Sequence, residues 1–203
     1  CPNLPGVQGA CHYHQCHQVR QDLEPRSTPA NCRMILCDTE IRALCEQGLV
    51  TPYDPALVNP ASLDVRLGCD LLVEVAEWST MIPVDITWHT QSEPFYLQPH
   101  EFVLACTEET FYLPTNIAGQ FALKSSRARS GIEHLMAGYC DPGWSGSKLT
   151  LELQNARSMH PVAIWPGMRI GQIVFHRMSQ TPAQDYSVTG HYNNDPTVTA
   201  SKT

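Results

Sequence analysis

Residues 121–175 read, in order, Phe121-Ala-Leu-Lys-Ser-Ser-Arg-Ala-Arg-Ser-Gly131, Ala137-Gly-Tyr-Cys-Asp-Pro-Gly-Trp-Ser-Gly146, Leu149-Thr-Leu-Glu-Leu-Gln-Asn155 and Trp165-Pro-Gly-Met-Arg-Ile-Gly-Gln-Ile-Val-Phe175. Leu149, Leu151 and Leu153 alternate with Thr150, Glu152 and Gln154. That period of two puts successive side chains on opposite faces of a strand. One face is apolar and belongs to a core, while the other carries a carboxylate. Ile170–Phe175 is a second strand, fed by the turn at Pro166-Gly167. Asp141-Pro-Gly-Trp-Ser-Gly146 has the composition of a tight turn.

The same grammar extends outward. Ser62–Leu67, Asp70–Val75, Glu101–Ala105, Phe111–Leu113, Ile117–Leu123 and Val162–Trp165 read as short strands, punctuated by 16 prolines and 12 glycines. Short strands with turn signals between them predict a mainly β fold, a barrel or jelly-roll. One amphipathic helix is expected over about residues 38–47, with Asp38 as N-cap and Gly48 at its exit. Residues 1–33 show no periodicity and form a Cys/His-rich extension. The expected catalytic barrel runs over residues 34–180, and a polar, extended tail occupies residues 181–203.

At 203 residues with 42% hydrophobic side chains, the chain can bury one substantial core. Only 16% of residues are charged and the net charge is −7, which disfavours a general nucleic-acid partner. No run approaches the ~18 apolar residues of a membrane span. No basic start followed by an apolar stretch is visible, so no secretory signal is expected. Nine cysteines, an odd number, then argue for a reducing, cytoplasmic compartment. Cys37, Cys45, Cys69, Cys106 and Cys140 read as free core thiols. Cys11, His14, Cys16 and Cys32 offer a candidate zinc quartet. Without a clean Cys-x-x-Cys pair, a leader that binds no metal is the favoured reading.

Each motif has a functional and a plain reading. Lys124-Ser-Ser-Arg-Ala-Arg129 follows a strand, and a helical turn opening at Ser125 would present free N–H groups and hydroxyls to a phosphate. It is equally a solvated basic turn. Glu152 is unremarkable if its face meets solvent; lining a pocket, it can take a proton from water. Asp64 and Arg66 share a strand face and are expected to form an ion pair.

Taken together, the motifs resemble the deoxycytidine triphosphate deaminase family of the trimeric dUTPase-like superfamily. Met34–Asp38, Asn59-Pro-Ala-Ser-Leu-Asp-Val-Arg-Leu-Gly68, Lys124–Arg129, Asp141–Gly146 with Leu151-Glu-Leu153, and Pro166–Gln172 carry the resemblance, which spans about Met34 to Tyr192. It implies a distorted dUTPase-like β-barrel working as a homotrimer, with sites between subunits. The implied reaction removes the cytosine 4-amino group of dCTP as ammonia and leaves dUTP. Magnesium is implied on the substrate phosphates only. The zinc-deaminase signature, His/Cys-x-Glu followed by Pro-Cys-x-x-Cys, is absent from the sequence. Other readings are a bifunctional enzyme that goes on to dUMP, a deaminase of a modified or less phosphorylated cytosine nucleotide, and a non-catalytic nucleotide-binding relative.

By the same resemblance, Glu152 handles the proton of the attacking water, Ser125 positions that water, and Arg129 lies near the reacting end. Lys124, Ser126 and Arg127 face the phosphates. Ala137 packs near the reacting carbon, Asp141 belongs to the base and sugar hairpin, and Gln172 to the strand beyond it. Tyr186 and His191 reach the phosphates from the tail. Three departures stand out. Lys124 replaces the usual arginine. One residue more than usual separates Asp141 from Glu152, so a bulge near Ser147-Lys148 must absorb it or Glu152 points away. In the tail, His191 and Asp195 replace a lysine and a glutamine, which predicts weak closure over a triphosphate.

Overall fold

The computed structural model describes residues 34–202. The zinc candidates Cys11, His14, Cys16 and Cys32 lie outside the described residues. Helix α1 (Asp38–Glu46) starts one residue earlier than expected: Cys37 is the N-cap, and its N–H donates to Glu40 Oε2 at 3.3 Å. Ile41 and Cys45 are buried beneath it. Gly48, at φ 93°, provides the left-handed exit into the first strand.

Twelve strands follow: β1 (Val50–Thr51), β2 (Val58–Asn59), β3 (Ser62–Val75), β4 (Trp78–Asp85), β5 (Phe95–Leu97), β6 (Phe102–Tyr112), β7 (Ile117–Leu123), β8 (Ile132–His134), β9 (Tyr139–Cys140), β10 (Ser145–Asn155), β11 (Val162–Ile164) and β12 (Arg169–Arg177). Two short helices, α2 (Ser125–Ser130) and α3 (Tyr186–Thr189), interrupt the strands and the tail. The main sheet runs β8-β10-β6-β3-β12-β7-β9, with β1, β2 and β4 on its flanks, and β5 pairs β11 separately. All pairings are antiparallel.

The expected mainly β barrel is therefore present, with longer strands than the sequence suggested. Ser62–Leu67 and Asp70–Val75 are one strand whose first half pairs β12 and whose second half pairs β6. The strand passes through Gly68 because a side chain there would sit 3.0 Å from Cys106 Sγ. Leu63, Val65, Leu67, Leu151, Leu153 and Phe175 fill the interior with at most 2% exposure. Each contributes about 1.5–3 kcal/mol by leaving water.

Two expectations are corrected here. Asp64 and Arg66 do not pair with each other. Arg66 Nε donates to the buried Glu109 at 2.7 Å, and Asp64 turns to Lys124. The tail is not simply extended: α3 is capped by Asp185, and Trp144 Nε1 donates to Tyr192 O at 2.9 Å, tying the tail to β10. Among the described residues, no helix is long and apolar enough to cross a membrane.

Candidate active site

Strand β10 places Glu152. Its buried residues Leu149, Leu151, Leu153 and Asn155 alternate with half-buried Thr150, Glu152 and Gln154, as the sequence required. The bulge expected near Ser147-Lys148 lies at Gly146. There β10 spends two residues, Ser145 to Ser147, against one step of β6, and Gly146 takes φ 72°. This is a bulge whose left-handed residue glycine tolerates best. A second irregularity lies opposite Lys148/Thr150, where Thr107 Oγ1 accepts the Leu149 N–H at 3.0 Å. Beyond it the register with β6 is regular, and Glu152 faces inward.

It faces a cavity of about 600 Å³. Ala137, Asp141, Glu152 and Tyr186 line it, as do Trp144 and Lys148. Glu152 is 25% exposed, and its Oε2 is buried without a hydrogen-bond partner. His134 Nε2 lies 3.4 Å away, equally buried and equally unpartnered. The two heavy atoms touch at a distance that permits a hydrogen bond, but with poor aim, so both retain capacity for a third group such as water. His134 is 6% exposed and packs against the Phe121 ring at 4.6 Å. Sequence reasoning missed it. The approach arises from the β8–β10 register, in which Leu153 stands opposite His134, and spacing along the chain carries no trace of that.

The tail covers the other wall. Tyr192, Asp195 and Thr199 line the cavity. Asp195 is not the bare anion expected: Lys202 Nζ meets both its oxygens at 2.8 Å and lies 5.1 Å from the centre of the Tyr192 ring. His191 enters this cluster only through its carbonyl, which accepts from Lys202 at 2.9 Å.

The phosphate-type residues sit elsewhere. Lys124, the N-cap of α2, donates to both oxygens of Asp64 at 2.7 Å. Ser125, Ser126 and Arg129 are exposed and line no part of the cavity. Arg127 stacks over Trp165 at 5.4 Å and donates to Arg169 O at 3.1 Å. Burial pushes its pKa down. Gln172 accepts from Ser62 Oγ at 2.8 Å on β12. One chain thus brings Glu152, Ala137, Asp141 and Tyr186 together and leaves Ser125, Ser126 and Arg129 on a separate surface. Among the described residues, no cluster of three or more His, Cys, Asp or Glu side chains is arranged as a metal cage.

Comparison with known proteins identifies the family. Residues 35–178 match the dCTP deaminase-like family. The chain belongs to that family. The dUMP-forming dCTP deaminase of Mycobacterium tuberculosis is 39% identical over 170 residues, covering 75% of this chain and 85% of the relative. The enzyme of the same name from Acidothermus cellulolyticus is 39% identical over 169 residues, with the same coverage. The crystal structure of 2'-deoxycytidine 5'-triphosphate deaminase from Agrobacterium tumefaciens superposes with a TM-score of 0.58 at 25% identity over 71% of this chain. The matched part spans 48% of that protein, about half its length. The family expected from the motifs, and the mainly β fold that goes with it, are borne out.

Proposed function

We propose that this dCTP deaminase-like chain hydrolyses the cytosine 4-amino group of dCTP, consuming one water and giving dUTP and ammonia. The observation that carries this reading is the unpartnered Oε2 of Glu152 inside a largely apolar cavity. A carboxylate placed there can accept a proton from water as the oxygen attacks C4 of the ring, then deliver it to the departing nitrogen. In this reading the backbone around Ala137 and Asp141 shapes the base and sugar end. Ser125 and Arg129 complete the reacting end from a neighbouring subunit, while Ser126, with Lys124 and Arg127 behind it, faces phosphate. Their absence from the chain's own cavity supports a homotrimer with shared sites.

Residues 34–180 then form the catalytic barrel, and residues 181–203, with Tyr186 and His191, close over the nucleotide. Gln172 braces β12 beside the phosphate loop. Magnesium arrives as part of the Mg·triphosphate substrate, for which the described residues hold no pre-built cage. The five described cysteines are free thiols, which supports a cytoplasmic enzyme.

A second reading is favoured by the names of the relatives at 39% identity: the same site continues to dUMP and pyrophosphate. Incubating the protein with Mg·dCTP and separating nucleotides by chromatography decides between them. Ammonia with dUTP supports the first reading, and ammonia with dUMP and pyrophosphate the second. Glu152→Gln should lower turnover at least ~10²-fold with little change in binding, the usual scale of acid–base assistance. Full activity in that variant would refute the assignment.

A further inference from the structure

Among the described residues, Lys148 is the only cationic side chain that lines the cavity. It lies on β10 four residues before Glu152, two residues after the bulge at Gly146. Its backbone N–H donates to Asp195 O at 2.9 Å, which fixes the strand under the tail. Its ammonium is half-buried and has no hydrogen bond or ion pair among the described residues. Of the carboxylates that line the same cavity, Asp141, Glu152 and Asp195, the last is held by Lys202.

An ammonium with no hydrogen-bonded partner is available to bind an entering anion. The position says which part of a nucleotide would supply it. Four residues of strand span ~13 Å. With the ring carbon at Glu152, base and sugar fill that span and the 5'-phosphates fall at the lysine. The tail offers little competition, because His191 is exposed and Lys202 is spent on Asp195.

We propose that Lys148 is a specificity-determining residue that binds the substrate's polyphosphate from within the hairpin, so that this site takes a triphosphate despite the missing lysine of the tail. The proposal rests on the nucleotide reading of the cavity given above. It is tested with Lys148→Met, which keeps the aliphatic stem, and Lys148→Arg, which restores the charge. Steady-state ammonia release is measured on dCTP and dCMP. In Lys148→Met, KM for dCTP should rise at least tenfold with kcat within about twofold. The preference for dCTP over dCMP should shrink by a similar factor, and Lys148→Arg should recover most of both. Calorimetric titration of the full chain with sodium tripolyphosphate provides a readout independent of turnover. Binding by the unaltered chain that is lost in Lys148→Met supports the role, even if no ammonia is ever released and the deaminase reading falls. Equal tripolyphosphate binding in both proteins, no binding by either, or an unchanged dCTP/dCMP preference overturns it.

Discussion

Asp64→Asn isolates the electrostatic anchor of α2. Asp64 is 1% exposed and accepts from Lys124 at 2.7 Å on both oxygens and from Asn59 Nδ2 at 2.7 Å, with Arg169 at 3.6 Å. The amide preserves shape and removes the charge. Losing one member of a fully buried pair costs about 3–5 kcal/mol. Here the remaining cations are partly exposed, Lys124 at 29% and Arg169 at 51%, so both can rehydrate. The loss should therefore sit near the scale of charged hydrogen bonds, ~2–3 kcal/mol. For a domain of this size that corresponds to a fall in Tm of about 4–12 °C. Urea denaturation at fixed protein concentration, run on Asp64→Asn, Lys124→Met and the double variant, gives the coupling directly. A loss below ~0.5 kcal/mol, or strict additivity in the cycle, would show that the contact does not anchor α2.

Two further outcomes follow from buried ionisable groups. Burial pushes the Glu109 carboxyl above its usual 4.5, outweighing its bonds to Arg66, so its stabilising contribution is complete below pH 4.5 and declines as pH rises through the folded pKa. The stability of the unaltered protein relative to Glu109→Gln should therefore drop with rising pH in that window, and a rise in denaturation midpoints would contradict it. Burial also raises the thiols of Cys45 and Cys106 to about 11 and of Cys140 to about 12. Iodoacetamide on the native protein at pH 8 should modify Cys37 and Cys69, both partly exposed, and spare those three; peptide mass mapping reads the result.

What could be read in the sequence was what obeys local rules. The alternation at Leu149–Gln154 and the glycine that closes α1 follow from period and backbone freedom, and the expected bulge before Glu152 from the resemblance to the family. Strand β4 was missed because its face is mostly exposed and holds Pro83, so it shows no alternation; Pro83 is tolerated because β4 pairs only with β3. The pairings of Asp64 with Lys124 and of Arg66 with Glu109 join residues 60 and 43 positions apart, and strand order alone decides them. His134 was invisible for the same reason, and so was Lys202, whose partner Asp195 was read as an unpaired anion. Motifs in order announced the family's residues; only register showed which of them share a cavity.

The proposed sharing of a site between subunits has a decisive consequence. Ser125, Ser126 and Arg129 are exposed and outside the cavity that holds Glu152. Tyr139, which lines that cavity, is 58% exposed, and Leu135 and Met136, just before the lining residue Ala137 in the chain, are 53% and 90% exposed, an apolar stretch that a partner surface would cover. In a cyclic trimer each site then takes Ser125 from one subunit and Glu152 from the next. Ser125→Ala and Glu152→Gln should each be inactive as homotrimers. Co-expressed with two different tags and purified through both, they form trimers with two subunits of one kind and one of the other. Going round such a ring, one contact in three joins an intact Ser125 to an intact Glu152, so activity should return to about one third of the unaltered level. If each site were built within a single chain, every site would carry a lesion and the mixed trimers would stay as inactive as their parents. Inactive two-tag trimers would therefore reject the shared site, and a stable monomer of full activity would reject the trimer itself.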